Sequence, residues 1–160
     1  MRRLALAALI ALAAPAAGAE ELYAQRGQWT ISWFPETMGC RAVRDYGTTR
    51  FSIGFDGTQG EPLLKVNLSD PAWEALPEGA RMDIAAQFGV REPWELSMTG
   101  GAGLTLTAPA RAQLAGVFID EFKAEMVMVW SEGETELGRF TLDGSRVAFD
   151  TMSACQQVPR

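Results

Sequence analysis

The groups in this sequence that could do chemistry are carboxylates, guanidinium groups and two thiols, because histidine is absent altogether. Without an imidazole there is no Ser-His-Asp or Cys-His triad, no His-ligated zinc and no histidine general base. Proton transfer would then fall to a pair of carboxylates. The candidates are Asp120 with Glu121, Glu132 with Glu134 and Glu136, and Asp143 with Asp150. Adjacent acids on a helix point in different directions, and residues 132–136 read as a hairpin tip. Solvated acids are the plainer account. No stretch has the Asp-x-Asp-x-Asp-Gly ligand spacing of a calcium loop. Arg41, Arg44 and Arg50 fall on two neighbouring predicted strands, where three guanidinium groups could grip a carboxylate or sulfate. They could equally pair with the surplus acids, which is the favoured reading. The run Gly100-Gly101-Ala102-Gly103 lacks the Lys-Ser/Thr of a phosphate loop and leads into strand-like Leu104-Thr105-Leu106-Thr107, so it predicts a hairpin turn. No catalytic, cofactor-binding or metal-binding set of residues is expected.

Cys40 and Cys155 are the whole cysteine inventory. The opening of the chain says which compartment they meet. Arg2 and Arg3 precede the apolar run Leu4 to Leu12, Pro15 breaks it, and Ala17-Gly18-Ala19 supplies the small-x-small pattern of a signal-peptidase site. The apolar run is short of the ~20 residues a spanning helix needs. A signal peptide over 1–19 and a single β-rich domain over 20–160 are therefore expected, with periplasmic or secreted localisation. Two cysteines in an oxidising compartment predict one disulfide, Cys40 to Cys155. Removing Arg2 and Arg3 from the 14 basic residues leaves 12 against 20 acidic, a net charge of −8. That sign repels phosphate backbones and anionic headgroups, so neither nucleic acid nor membrane is an expected partner.

The elements that must position these groups are mostly strands. Alternation of apolar and polar residues marks Trp29 to Trp33, Phe51 to Phe55, Leu64 to Leu68, Met82 to Phe88, Trp94 to Met98 and Leu104 to Leu106, with Cys40 to Tyr46 a further, weaker strand. The period places Ile53, Val66, Ile84 and Leu96 inside and Lys65, Asp83 and Glu95 outside. Turn residues at 46–48, 56–57, 77–79 and 100–103 keep most connections short, which favours antiparallel hairpins. Asp70-Pro71 predicts a brief helical turn carrying Trp73 and Leu76 to the core. Trp29, Trp33, Trp94 and Trp130 share strand faces with aliphatic residues and read as core, whereas Trp73, on the helical turn, is the one whose role the strand pattern does not set.

The last third changes period. From Pro109 to about Glu125, Leu114, Val117, Phe118 and Phe122 recur at helical spacing. Strands at 126–130 and 137–142 follow. A final helix opens at Gly144-Ser145, with Ser145 as its expected N-cap and Ala148, Met152 and Cys155 along one face. The fold class is α+β, mainly antiparallel sheet, either a sandwich or a partly open barrel, with two helices in the C-terminal third.

The order of these features resembles small exported proteins of Gram-negative bacteria and, more distantly, the invasion-associated locus B family. The matching features are Trp29-Thr30-Ile31, Cys40 before a strand, Phe140-Thr141-Leu142-Asp143-Gly144-Ser145, Ala148 and Met152. This chain has Trp33 where that family tends to carry a cysteine, and it adds Cys155. The resemblance implies a periplasmic β-rich fold and a role in envelope or host interaction, with no catalytic residues to carry over. The expected function is an exported, non-enzymatic accessory protein that binds another envelope component, its partner a periplasmic or envelope protein. A carboxylate-pair hydrolase and a small-ligand or lipid-binding barrel are the alternatives. An enzyme needs converging carboxylates, a carrier an empty apolar interior, and an interaction protein an exposed patch rimmed with polar groups.

Overall fold

A computed structural model describes residues 20–73 and 76–159, so the expected signal peptide lies outside the described residues. Among them, ten strands form one antiparallel sheet and two α-helices follow in the C-terminal part. In chain order the strands are β1 (Glu21–Arg26), β2 (Trp29–Phe34), β3 (Gly39–Tyr46), β4 (Thr49–Asp56), β5 (Leu63–Ser69), β6 (Arg81–Phe88), β7 (Trp94–Thr99) and β8 (Leu104–Pro109). Helix α1 (Gln113–Ala124), strands β9 (Val127–Glu132) and β10 (Thr135–Thr141), and helix α2 (Ser145–Gln156) complete the chain. The strand order is β1-β2-β3-β4-β5-β8-β7-β6-β9-β10, so the connection from β5 to β6 jumps two strands that are filled in later. That connection holds the brief 3-10 turn Pro71–Trp73, capped as expected by the Asp70 carboxylate accepting from the Ala72 N–H at 2.9 Å.

Of the two architectures the alternation allowed, a single curled sheet is observed, and it is not closed. The curl follows from ring contacts. Strands β4 and β9 stand five positions apart, which in a flat sheet would separate them by about 24 Å. The Phe51 and Trp130 ring centroids are 6.4 Å apart. Helix α1 fills the concave side. Its Phe122 meets Trp29 at 5.6 Å and Phe51 at 5.8 Å, while its Phe118 meets Phe88 at 5.0 Å and Trp94 at 5.8 Å. The register expected from alternation holds: Ile53, Val66, Ile84 and Leu96 are buried, and Asp83 and Glu95 are exposed. Lys65 differs, its side chain only 34% exposed, because its ammonium sits 2.6 Å from the buried Asp56 carboxylate.

Helix α1 begins at Gln113, since β8 claims the chain through Pro109. Its buried stripe is Ala115, Phe118 and Phe122, with Leu114 70% and Val117 41% exposed, so the apolar face sits one position round from the expected one. The N-cap of α2 is Gly144, at φ 77°, and not Ser145. The buried Ser145 hydroxyl instead donates to the Phe122 carbonyl at 2.8 Å. Phe122 lies in the last turn of α1, where carbonyls have no intrahelical partner, so one bond satisfies two groups and ties the helices together. Strand β1 escaped the alternation pattern because nearly all of it is exposed.

Two devices hold α2 against β2 and β3. At its C-terminal end the Cys40–Cys155 disulfide forms, with Cα atoms 6.1 Å apart. Beside it the Gln156 carboxamide accepts from the Cys40 N–H at 2.8 Å and donates to the Met38 carbonyl at 3.1 Å. At its N-terminal end, side chains bridge the sheet's gap. The Tyr46 hydroxyl donates to the Thr141 carbonyl at 2.6 Å, and the Trp29 indole to the Asp143 carbonyl at 2.9 Å. Arg44, 5% exposed, donates to Thr141 Oγ1 at 2.9 Å, to the Asp143 carbonyl at 3.2 Å and to Gln28. Its guanidinium lies over the Tyr46 ring, 4.7 Å from the centroid. Burial pushes the Tyr46 phenol up to about 12.

Candidate binding face

The concave side is packed with rings, and an open groove lies on the sheet's other face. There the cross-strand register builds a floor. Gln25 pairs with Thr30, Thr30 with Val43, Val43 with Ser52, and Ser52 with Asn67, one rung per strand from β1 to β5. Four of these five side chains are short, and the four on β2 to β5 stand on outward positions of strands whose inward positions are buried. To either side of the floor longer side chains stand on some of the strands, while Ser32 and Gly54 stay short. Gln28, Asp45 and Arg50 rise on one side; Phe34 and Arg41 rise on the other. The result is a groove running across the strands, with a volume of about 560 Å³, which Glu20 borders at one margin.

Each wall is held by its own contacts. Arg50 grips Asp45 through Nε to Oδ1 at 2.7 Å and Nη2 to Oδ2 at 3.2 Å. That pair lowers the Asp45 carboxyl and raises the Arg50 guanidinium. Arg41 lies over the Phe34 ring at 4.3 Å and donates to Thr37 Oγ1 at 3.1 Å, with Glu36 3.8 Å away. Gly54, opposite Arg41, makes this possible: a Cβ there would come within 2.6 Å of Arg41 Cγ. On the floor, Thr30 donates to Gln25 Oε1 at 3.0 Å and Asn67 to Thr105 Oγ1 at 2.9 Å. Among the lining side chains the charges of Arg41 and Arg50 are matched by those of Glu20 and Asp45.

The structure disperses the groups that the sequence singled out. Arg41 and Arg50 share the groove but stand on opposite walls, each beside an acid as expected. Arg44 points to the concave side and meets no carboxylate in its contacts, so the three arginines do not converge on one anion. Among the carboxylate pairs, Glu121 turns from Asp120 to accept from the Trp94 indole at 2.7 Å. Glu136 pairs with Arg139 at 2.9 Å, and Asp150 with Lys123 at 2.6 Å. Each carboxyl whose pKa departs clearly from its ordinary value moves down: Asp45 through Arg50, Asp56 through Lys65, and Asp70 through the Ala72 N–H. For Asp56 the fall reaches about 2. That direction suits ion pairs and caps, whereas a general acid at neutral pH needs a raised value.

Gly100 to Gly103 turns β7 into β8, as expected, and Trp73 packs half-buried against the core. Sequence reasoning missed the groove itself. Its signal was present in the identity of outward residues, short at Thr30, Ser52 and Asn67 and long at Arg41 and Arg50, but it needs the register to align them. No family model, curated protein or solved structure matches the chain.

Proposed function

We propose that this chain is an exported, non-enzymatic accessory protein that binds another component of the bacterial envelope through the outer face of β1–β5. The observation that carries this reading is the groove: a preformed concavity on rigid strands, of a size usual for ligand sites. The disulfide fits a compartment that oxidises thiols, and among the described residues no helix is long and apolar enough to cross a membrane. The filled concave side speaks against a carrier barrel, and the engaged carboxylates against a carboxylate-pair hydrolase.

A face is a better candidate than an edge. Both terminal strands of the sheet carry a β-bulge, between Leu22 and Ala24 in β1 and between Glu136 and Gly138 in β10. Bulges on edge strands discourage another strand from adding to the sheet. The test is affinity capture from an envelope extract with the oxidised protein, beside a Ser52→Tyr variant that blocks the groove floor. The expected result is a component retained by the native protein and lost with the variant. Equal capture by both would overturn the assignment of this face.

A further inference from the structure

We infer that the groove recognises a linear, uncharged saccharide lying across strands β1 to β5; this rests on the outer face being the binding face. Three features of the groove narrow its ligand by chemistry. The first is charge. The side chains Arg41 and Arg50 are balanced by Glu20 and Asp45. Cleavage after Ala19 would add a single α-ammonium at Glu20, so the lining has no large excess for a polyanion and none for a cation. The second is the character of the polar groups. Carboxamides and hydroxyls, from Gln25, Gln28, Asn67, Thr30 and Ser52, both donate and accept, as sugar hydroxyls do.

The third feature is spacing. The floor repeats once per strand, at about 4.8 Å, because its rungs follow the hydrogen-bonding direction of the sheet. That step is close to the length one hexopyranose adds to an extended, equatorially linked chain. An extended peptide advances about 3.4 Å per residue and presents side chains on one face every two residues, so it falls out of step with the rungs. Peptide recognition by sheets also relies on a free backbone edge or on apolar pockets. Here β2 to β5 are paired on both sides, and Phe34 and Val43 are the apolar residues of the lining. The stacked Arg41–Phe34 pair supplies a flat platform on one wall, against which a sugar ring can lie.

The experiment is a titration of the oxidised, isotope-labelled protein with cellotetraose and chitotetraose, followed by amide shifts. Maltotetraose, which is not extended, and a polar hexapeptide serve as competitors in class. The expected result is saturable shifts on β2 to β5 with one of the two extended oligosaccharides. Affinity should rise about tenfold from the disaccharide to the tetrasaccharide as more rungs are covered. Ser52→Tyr should weaken binding at least tenfold with an unchanged thermal midpoint; Asn67→Ala, which only shortens a floor side chain, should weaken it several-fold and stands in if the tyrosine variant misfolds. Absence of saturable shifts with both extended sugars, or shifts only with the peptide, overturns the saccharide inference. If envelope capture still depends on Ser52 in that case, the interaction reading stands without it; if capture is also insensitive to Ser52, both fall.

Discussion

Strand β4 shows both faces of the sheet in eight residues. Phe51 and Phe55 point inward to rings on α1 and α2, with Ile53 buried between them, while Arg50 and Ser52 face out into the groove. The inner positions are chosen for volume and the outer ones for length. The inner face therefore answers to stability, and the outer face is the one proposed for binding. The same backbone serves both because successive side chains alternate sides.

The sharpest way to break the comparison is to open the inner face. Phe122→Ala removes the ring that Trp29, Phe51 and Phe149 all touch. A loss of about 3–5 kcal/mol is expected in denaturant unfolding. A smaller loss would mean that the concave side is less tightly filled than the contacts imply. Next comes the disulfide. Cys40→Ala with Cys155→Ala removes a link across a sequence separation of 115, with an expected cost of about 2–4 kcal/mol. Amide exchange should then rise first in α2, and exchange that rises evenly through the sheet would contradict the anchoring role.

Arg44→Met keeps an apolar stem as far as Nε while removing the donors to Thr141, Gln28 and the Asp143 carbonyl. About 1–3 kcal/mol should be lost, since three acceptors lose a partner at a part-buried site, of which the Asp143 carbonyl keeps the Trp29 indole. Thermal unfolding would show it, and an unchanged midpoint would mean that Tyr46 and Trp29 suffice to hold β10. Asp56 gives a pH test on the outer side. Its carboxyl is held at about 2 by Lys65 and Thr58, down from an ordinary 3.8. A lowered folded value means that the contribution is complete above about 3.8 and lost as pH falls through about 2. Native protein should lose thermal stability over that window relative to Asp56→Asn, and parallel curves would show the ion pair to be idle. The smallest effect belongs to the groove: Ser52→Tyr should alter stability by no more than about 0.5 kcal/mol while changing binding.

How much of this was legible follows from where the signals are local. Alternation identifies a buried strand face within a few residues, so Ile53, Val66, Ile84 and Leu96 were readable, as was the pairing of two lone cysteines. Strand β1 was not, because an edge strand with most side chains in water has no apolar rhythm to detect. The face of α1 was displaced because Leu114 and Val117 are apolar yet exposed, and periodicity alone cannot tell which of two overlapping stripes the sheet will cover. Ser145 has the chemistry of a cap, but the carbonyl it serves is on another helix. The groove lay furthest from reach, since Gln25 and Asn67 become parts of one floor only after four strand registers are set.

The link between Cys40 and Cys155 also has a chronology. A ribosome adding about 5–20 residues per second delivers the second cysteine roughly 6–23 s after the first. Throughout that interval Cys40 is a lone thiol on a chain whose last helix does not yet exist. Closure of the bond therefore reports that strands β4 to β10 have already been made, and a molecule interrupted between Cys40 and Cys155 is left with a free sulfur that distinguishes it from a finished one.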